Sequence, residues 1–478
     1  MSLPVFAVVG HPNKGKSSIV ATLALDDSVR IGPEPGTTVR CRRYPMTVDG
    51  QELYVLVDTP GFQRARRALH WMRQHETTAD RHAEVVRRFV EEHRDTDQFA
   101  DECELLAPIL DGAGILYVVD GSVPYGEEYE PEMEILRWTG QPSMALINPI
   151  GPADHVEAWR RALGQFFKVV RVFNAVMAEF EKHTELLRAF GQLREDWRGP
   201  LQRAVSSLEA DRARTRRLAA RLIAETLVRM LGHRVERKLP SRAEVEGVKV
   251  ELEVRYREDL RRMEQRCRDE VEGLYKHRQI ERQESILSVL EEDLFAERTW
   301  LIFGLGKRQL VATGAMSGAA AGLVIDAHIA GASLLAGAVV GAGIGGVVGW
   351  WTAGRLVRVK VLDIPLGGKQ VLAGPTRNLN FPHVVFNRAR YHHLRVAQRN
   401  HAVRGVLHLS DRPEEVLPPL TSEQRARVER CFAQVRKAPE DPRASEALRL
   451  ATESILTADD QSPHPASPTG VVAATTPQ

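Results

Sequence analysis

Residues 10–17 of the chain read GHPNKGKS, which fits the pattern G-x-x-x-x-G-K-[ST]. The apolar stretch PVFAVV precedes the pattern and the helix-compatible stretch KSSIVATLAL follows it, which is the strand, loop and helix context that this motif requires. In such a loop the glycines let backbone N–H groups point at phosphate oxygens, and the helix N-terminus adds a partial positive charge. Lys16 is expected on the β and γ phosphates and the Ser17 hydroxyl on Mg²⁺. The residues of this loop predicted to bind nucleotide are Gly10, Asn13, Lys14, Gly15, Lys16, Ser17 and Ser18.

A second group of polar residues follows this loop in the order that nucleotide chemistry needs. The apolar strand ELYVLVDTPG contains Asp58, whose carboxylate can hold Mg²⁺ through water, and Gly61, whose backbone can approach a γ-phosphate. Between the loop and this strand, PGTTVR places Thr37 and Thr38 where a hydroxyl completes the Mg²⁺ shell while the γ-phosphate is present. The sequence therefore predicts a magnesium site formed by Ser17, Asp58 and a hydroxyl of Thr37 or Thr38.

These side chains need a sheet whose strands end at one edge. The stretch RCRRYPMTVDGQELYVLV predicts a hairpin with its turn at Asp49-Gly50. Further apolar strands at GILYVVD, SMALIN and KVVRVFNA alternate with helix-like segments. This pattern predicts a doubly wound α/β domain over residues 1–180, with nucleotide at the carboxyl ends of its strands.

The motifs GHPNKGKSS, PGTTVR and DTPGF resemble those of the TrmE–Era–EngA–septin-like class of P-loop GTPases. The resemblance implies that the domain binds GTP and GDP, and that Thr38 is the threonine that completes the Mg²⁺ site with Ser17 and Asp58. It also implies that Lys16, Thr38 and Gly61 take part in catalysis. It also implies that Asn13 matches the asparagine that helps to hold K⁺ in cation-dependent members, so the expected cofactors are Mg²⁺ and K⁺. Phe62 stands where Ras-like proteins carry the glutamine that orients water. Hydrolysis is therefore expected to depend on K⁺ or on dimerisation.

The segment expected to contact the base departs from this class. The fourth motif, N-K-x-D, is expected after SMALIN, but the residues that begin at Asn148 read NPIG. The missing aspartate is the group that accepts two hydrogen bonds from guanine, so the sequence does not establish selection of guanine over adenine. We expect Asn148 to reach the base, together with Asn174 and Ala175 in place of the last motif. The alternative is that Asn148 only ends a strand, because asparagine favours such turns.

The predicted domain also contains an insertion, residues 63–110, which carries the arginines Arg64, Arg66 and Arg67. One interpretation is that an arginine of this cluster acts on the γ-phosphate. The other is that mixed charge here forms the solvated face of a helix, which is the usual outcome for such a pattern.

Composition limits the class of protein. With 478 residues, 43% of them hydrophobic and 27% charged, the chain is too long for one domain and has the make-up of a globular protein. The net charge of +2 excludes no class of partner. The four cysteines show no pairing or metal spacing, which predicts a reducing compartment. The first residues lack a basic leader and a cleavage site, so we expect a first strand and not a signal peptide.

A helical region is predicted over residues 181–305, which are rich in Arg, Glu, Leu and Ala. Apolar residues recur there at spacings of three and four and form one stripe on a charged helix. The stripe either packs in the core of the same chain or drives self-association as a coiled coil. Its members are Val245, Val248, Leu252, Tyr256, Leu260, Met263, Cys267, Val271 and Leu274.

Residues 306–356 are dominated by Gly and Ala, and Asp326 is the one formally charged residue between Gln309 and Trp351. Glycines spaced four apart give a smooth helical ridge, and basic residues flank both ends. These features predict a helical hairpin that contacts membrane lipids through residues 309–353, with both ends in the cytoplasm. The alternative is a buried helical pair in a soluble domain or a segment shielded in an oligomer.

The predicted C-terminal domain, residues 357–457, begins in a basic stretch. Residues 355–404 combine Lys, Arg and aromatic side chains with a single acid, Asp363. Beside a membrane this pattern predicts attraction to anionic headgroups. Contact with RNA is the second interpretation, since no GXXG or RNP-like motif is present. The composition of residues 458–478 predicts a disordered tail.

A GTPase domain, a helical region and a Gly/Ala-rich segment in one chain are similar to a bacterial family described as a GTPase joined to a C-terminal domain of unknown function. We therefore expect a Mg²⁺-dependent GTPase switch at the cytoplasmic face of a bacterial inner membrane, with homo-oligomerisation left open. The alternatives are an RNA- or ribosome-associated GTPase whose Gly/Ala stretch is core, and a structural membrane protein that binds nucleotide without turnover.

Overall fold

The structure is a computed structural model that describes residues 3–25, 29, 38, 40–76, 78–175, 180–240, 245–275, 293–304, 359–364, 368–398 and 417–461. The predicted membrane hairpin at 309–353 lies outside the described residues, as does Thr37. The chain divides into two compact units, the first made mainly of residues 1–212 and the second beginning at Ala213.

The first unit contains a six-stranded sheet with the order β2-β3-β1-β4-β5-β6. All neighbouring strands are parallel except β2 and β3, which form the predicted hairpin around Asp49 and Gly50, both with positive φ. β4 is buried along its whole length, as expected for a central parallel strand, whereas β2 alternates between exposed and buried residues. The strands are β1 (Val5–Val9), β2 (Arg42–Val48), β3 (Gln51–Asp58), β4 (Gly114–Val119), β5 (Ser143–Ile147) and β6 (Val170–Val172).

Helices cover both faces of this sheet, because successive residues of each central strand point to opposite faces. Ala7 and Val9 pack in one core and Phe6 and Val8 in the other. The doubly wound α/β arrangement predicted for this part of the chain is confirmed. The helices are α1 (Lys16–Ala24), α2 (Ala65–Gln74), α3 (His82–His93), α4 (Ala100–Leu110), α5 (Glu130–Trp138), α6 (Val156–Leu163) and α7 (Phe180–Phe190), and α8 (Glu195–Gly232) contains the boundary between the units.

The insertion at 63–110 folds into helices α2, α3 and α4, which pack on the Ala7 and Val9 face of the sheet. Arg66 and Arg67 are exposed on α2, in agreement with the solvated-face interpretation. The guanidinium of Arg64 donates hydrogen bonds to the backbone carbonyls of Gln98 and Asp97.

The second unit is mostly helical, as predicted, with one three-stranded antiparallel sheet of order β7-β9-β8. Residues 458–461, where the disordered tail was predicted to begin, form the end of a helix that runs from Pro442 to Gln461. The rest of the predicted tail lies outside the described residues. The further elements of this unit are β7 (Val235–Leu239), α9 (Val245–Leu274), α10 (Glu297–Phe303), β8 (Val359–Ile364), β9 (Gly368–Ala373), α11 (Phe381–Gln398), α12 (Ser422–Lys437) and α13 (Pro442–Gln461).

The apolar stripe of α9 lies in the core of this unit. Tyr256 and Leu260 are fully buried, and Val371 and Phe386 belong to the same core cluster. The structure therefore favours the interpretation that the stripe packs within the chain over a coiled coil between chains.

The prediction that the basic stretch 355–404 faces headgroups or RNA is wrong for Arg388 and Arg390 of α11. Arg388 and Arg390 are 1% and 2% exposed. Their partners are the carboxyl groups of Glu264 and Asp459, at 2.6 Å and 2.7 Å. Both acids lie far from this stretch in the sequence, so local composition could not reveal them.

Across the described parts of both units, no helix combines the length and the apolar character of a membrane span.

Candidate functional site

The carboxyl ends of the parallel strands bring the predicted site residues to one edge of the first sheet. β1 runs into Gly10, β3 ends at Asp58, and β5 runs into Asn148. β1 lies between β3 and β4, where the strand order changes direction, which is where open α/β sheets bind ligands.

The loop between β1 and α1 depends on backbone that bulky residues rarely adopt. Gly15 has φ 80°, and Asn13 has φ 60° in the left-handed region that asparagine tolerates. A Cβ on Gly15 would lie 2.3 Å from the Asn148 amide nitrogen. A side chain at Gly15 would thus force the loop and Asn148 apart. α1 begins at the next residue, so its free N–H groups face the loop.

Lys16 is the buried cation of this loop, with 7% of its surface exposed. Its Nζ donates to the backbone carbonyls of Gly10 at 3.2 Å and His11 at 3.0 Å. Burial lowers the pKa of Lys16 to about 8, against the opposing effects of Asp58 and Glu132. Among the described residues no carboxylate forms an ion pair with this amine. A buried cation held by carbonyl groups is suited to an incoming anion.

Asp58 accepts hydrogen bonds from the two hydroxyl groups that are predicted to bind magnesium. Ser17 Oγ donates to Asp58 Oδ2 at 3.0 Å, and Thr38 Oγ1 donates to the same oxygen at 2.9 Å. The other carboxyl oxygen, Oδ1, is buried without a hydrogen-bond partner among the described residues. Burial raises the pKa of Asp58, although the bonds from Thr38 and Ser17 oppose it. An all-oxygen donor set with one unsatisfied carboxyl oxygen fits a hydrated Mg²⁺.

Asn148 joins two of the predicted nucleotide-binding segments. Its Nδ2 donates to the backbone carbonyl of Lys14 at 3.3 Å, and its Oδ1 accepts from the Ala175 N–H at 3.0 Å. Asn174 Nδ2 donates to the Pro149 carbonyl at 2.9 Å. Asn148 therefore does more than end a strand, since it ties the phosphate loop to the segment after β6.

The position of the missing base-binding aspartate is occupied by Gly151, which is exposed. The carboxyl group of Asp120 lies nearby, but it already accepts hydrogen bonds from other residues of the protein. Its Oδ1 accepts from the Ser122 N–H, the Ser122 hydroxyl and the Ile150 N–H at 2.9, 2.6 and 3.3 Å. Asp154, three residues beyond Gly151, is exposed. Neither Asp120 nor Asp154 stands at the fourth position of the segment that begins at Asn148, where the motif N-K-x-D has its aspartate.

The segment after Asp58 closes onto the phosphate loop. A Cβ on Gly61 would lie 2.7 Å from the backbone nitrogen of Pro12, so only glycine allows this approach. The Phe62 N–H donates to the Gly10 carbonyl at 3.4 Å, and the Phe62 ring is buried in the core formed with the insertion. Phe62 is thus a packing residue and cannot orient water.

The remaining predicted residues lie around the loop. Asn13 is exposed, and Ser18 is half-buried in the first turn of α1. The Lys14 ammonium lies 5.7 Å from the centroid of the Tyr129 ring, within reach of a cation–π contact.

A buried carboxyl group behind the loop was not predicted. Glu132 on α5 accepts from the Tyr117 hydroxyl at 2.9 Å and contacts His11 Nδ1 at 2.8 Å. Burial raises the pKa of Glu132, against the opposing effects of His11, Tyr117 and Lys16. No local pattern marks this acid, since it is one of five glutamates in the run GEEYEPEME.

Two family models match the chain. One is described as "50S ribosome-binding GTPase" and matches residues 5–148, from the first strand to Asn148. The other is described as "Domain of unknown function (DUF3482)" and matches residues 160–456.

Curated relatives match only part of the chain. GTPase Der of Burkholderia ambifaria is 29% identical over 147 residues, which cover 30% of this chain and 26% of that protein. GTPase Der of Mycoplasma pneumoniae is 42% identical over 59 residues, which cover 12% of this chain and 13% of that protein. The chain thus spans about a quarter or less of the length of these relatives.

Among solved structures, Aquifex aeolicus Era bound to GDP and AlF4⁻ is 17% identical, with a TM-score of 0.27. The match covers 58% of this chain and 90% of Era.

Proposed function

We propose that this chain, which belongs to the DUF3482 family and carries an N-terminal P-loop GTPase domain, binds GTP and GDP at its phosphate loop and hydrolyses GTP with Mg²⁺. The observation that carries the proposal is the environment of Lys16. Its ammonium is buried and held by two backbone carbonyls, without a carboxylate of its own among the described residues. Such a group is costly to keep unless an anion is bound beside it for part of the working cycle.

The residues that would hold magnesium are Ser17, Thr38 and Asp58. Their oxygens already converge, and Asp58 Oδ1 has no partner among the described residues. When bound, Mg²⁺ neutralises charge on the phosphate oxygens during transfer. Thr38 and Asp58 belong to different segments of the chain. Binding of Mg²⁺ by both residues would therefore depend on the conformation of both segments.

Phe62 stands at the position where Ras-like proteins carry the glutamine that orients water. The Phe62 ring is buried in the insertion core, so positions 61 and 62 offer backbone groups rather than a polar side chain. Asn13 presents an exposed amide on the phosphate loop, where it is free to help hold K⁺. We therefore propose that K⁺ accelerates hydrolysis, to be checked by replacing KCl with NaCl at constant ionic strength.

Lys16→Ala tests the proposal directly. We expect the Kd for fluorescent GDP to rise by about 100-fold or more, because the variant loses charge-assisted bonds to phosphate. Lys168→Ala removes an exposed lysine of the same unit and serves as the matched control. Unchanged affinity in Lys16→Ala would overturn the phosphate-loop assignment. Tight binding by the wild-type protein without turnover, in K⁺ and Mg²⁺, would favour a nucleotide-binding structural protein.

We also propose that the GTPase acts at the cytoplasmic face of a membrane through residues 309–353, which carry one formal charge, on Asp326. The competing proposal is ribosome association, which the family description "50S ribosome-binding GTPase" favours. Liposome flotation in high salt, beside a variant lacking residues 309–353, separates the two. Flotation of the intact protein alone supports the membrane. Co-sedimentation with ribosomes, without flotation, supports the alternative.

A further inference from the structure

Helix α4 of the insertion contacts the segment that follows Asp58 through a buried carboxyl group. Glu102 is 1% exposed. Its Oε1 accepts from the backbone N–H groups of Gln63 at 2.9 Å and Arg64 at 2.5 Å. One side-chain oxygen thus satisfies two consecutive backbone donors at the start of α2, where no residue of the helix itself can accept them.

Other contacts hold the same segment on both sides. Gly61 lies against Pro12 of the phosphate loop, and Phe62 is buried among apolar residues of α2, α3 and α4. The Arg64 guanidinium donates to the Gln98 carbonyl just before α4. The segment 61–64 is therefore fixed between the phosphate loop and the insertion by the chain itself.

The same helix also reaches the segment that follows Thr38. Glu104 Oε1 accepts from the Cys41 N–H at 2.8 Å, and the Cys41 thiol donates to the Glu104 carbonyl at 3.1 Å. Burial, followed by the charge of Glu104, raises the pKa of Cys41 to about 12 and keeps the thiol protonated as a donor. One turn of α4 therefore contacts the chain beyond Thr38 and the chain beyond Asp58.

We propose that Glu102 is a positioning residue for nucleotide hydrolysis, which holds the backbone of residues 61–64 against the phosphate loop. This inference rests on the proposed GTPase function. Gly61 and Phe62 offer no polar side chain, so the placement of their backbone decides whether the γ-phosphate and water meet productively. Displacing such a group by about 1 Å can cost 100-fold in rate.

Three variants test this role. Glu102→Ala removes both acceptor contacts. Glu102→Gln keeps a carbonyl oxygen that can accept the same two bonds. Glu91→Ala removes an exposed carboxyl group of α3 and is the matched control.

In Glu102→Ala we expect kcat for GTP hydrolysis to fall by about tenfold or more while the Kd for GDP stays within about threefold. Glu102→Gln is expected to recover kcat to within about threefold of the wild type, because the acceptor geometry is kept. Amide hydrogen exchange adds a direct readout. Residues 61–66 should lose protection in Glu102→Ala and keep it in Glu102→Gln and Glu91→Ala.

The proposal is overturned if Glu102→Ala hydrolyses GTP like the wild type. It is also overturned if kcat and affinity fall together without rescue by Gln, since that pattern marks a merely structural residue. If the wild-type protein binds no nucleotide, the proposed function fails. Hydrogen exchange would then still show whether Glu102 holds the segment.

Discussion

The phosphate loop and helix α11 both bury basic side chains, but they neutralise them differently. Lys16 donates to two backbone carbonyls, and Asp58 and Glu132 act on it only over a distance. Arg390 forms two bonds with Asp459, at 3.0 Å from Nε and 2.7 Å from Nη2. Arg388 donates to Glu264 at 2.6 Å. Lys16 is thus a buried cation without a paired carboxylate among the described residues, whereas Arg388 and Arg390 are paired within the chain.

The difference shows that a basic composition does not predict an anion-binding surface until the partners of each cation are known. A buried cation paired with a carboxyl group has little attraction left for an external anion. The same charge, placed against carbonyls at the end of a strand, is still available to a phosphate. Variants of each region should therefore fail in different ways.

The largest effect is expected from Arg390→Ala. The substitution leaves Asp459 buried without its partner, and breaking such a pair costs about 3–5 kcal/mol of unfolding free energy. Burial raises the pKa of Asp459 even beside Arg390, so a carboxyl group left alone there is strongly disfavoured as an anion. Denaturant unfolding measures the loss, and the Kd for GDP should not change.

Arg377→Ala is the control for this prediction. Arg377 is exposed in the same unit, so its removal should change stability by no more than about 0.5 kcal/mol. Loss of GDP affinity in Arg390→Ala with normal stability would break the comparison, because a paired structural arginine would then be acting on the ligand.

An intermediate effect is expected from Gly151→Asp. This substitution places a carboxylate at the position where the motif N-K-x-D has its guanine-binding aspartate. The φ angle of Gly151 lies outside the left-handed region, and an added Cβ would contact Ser122 Cβ at 3.3 Å. A carboxylate there can accept two bonds from guanine and none of this kind from adenine. The ratio of GTP to ATP affinity should rise by about 100-fold.

Gly151→Asn has the same size and offers one amide oxygen without charge, so its effect on the ratio should be smaller. An unchanged ratio in a folded, nucleotide-binding Gly151→Asp variant would place the base away from Asn148 and Gly151.

The smallest effect is a pH dependence set by Lys16. Burial lowers its pKa from 10.5 to about 8, so the amine loses its proton in the free protein as pH rises through 8. The affinity for GDP should then fall, by at most about tenfold at pH 9, because the neutral amine no longer attracts phosphate. Lys16→Met should lack this slope above pH 8. A wild-type affinity that is flat up to pH 9.5 would contradict the prediction.

Folding stability responds to Lys16 with the opposite sign. Since the folded pKa is depressed, the unfolded chain holds the proton more tightly between pH 8 and 10.5. The destabilising contribution of this residue is therefore complete below pH 8 and declines as pH rises through that window.

The sequence predicted the parts of the site that depend on neighbours along the chain. The phosphate loop, the hairpin at Asp49-Gly50 and the order of Thr38 and Asp58 follow from local backbone preference and strand pattern, and the structure brings them together. The absence of the base-reading aspartate is equally a matter of local sequence. The prediction of the Gly/Ala hairpin lies outside the described residues and stays a prediction.

Only the tertiary structure decided which charged side chains are buried and neutralised by partners inside the protein. Glu102 and Glu132 each lie among other acidic residues of the sequence, and their positions beside Arg64 N–H and His11 depend on contacts between residues far apart in the chain. Asp459 neutralises Arg390 from 69 residues away, so this arginine of the predicted basic surface is buried in the core instead. Local backbone preference acts over a few residues, whereas burial and ion pairing are set by packing between elements. For that reason the sequence alone determined the phosphate loop, but it did not determine whether the arginines are exposed or buried in ion pairs.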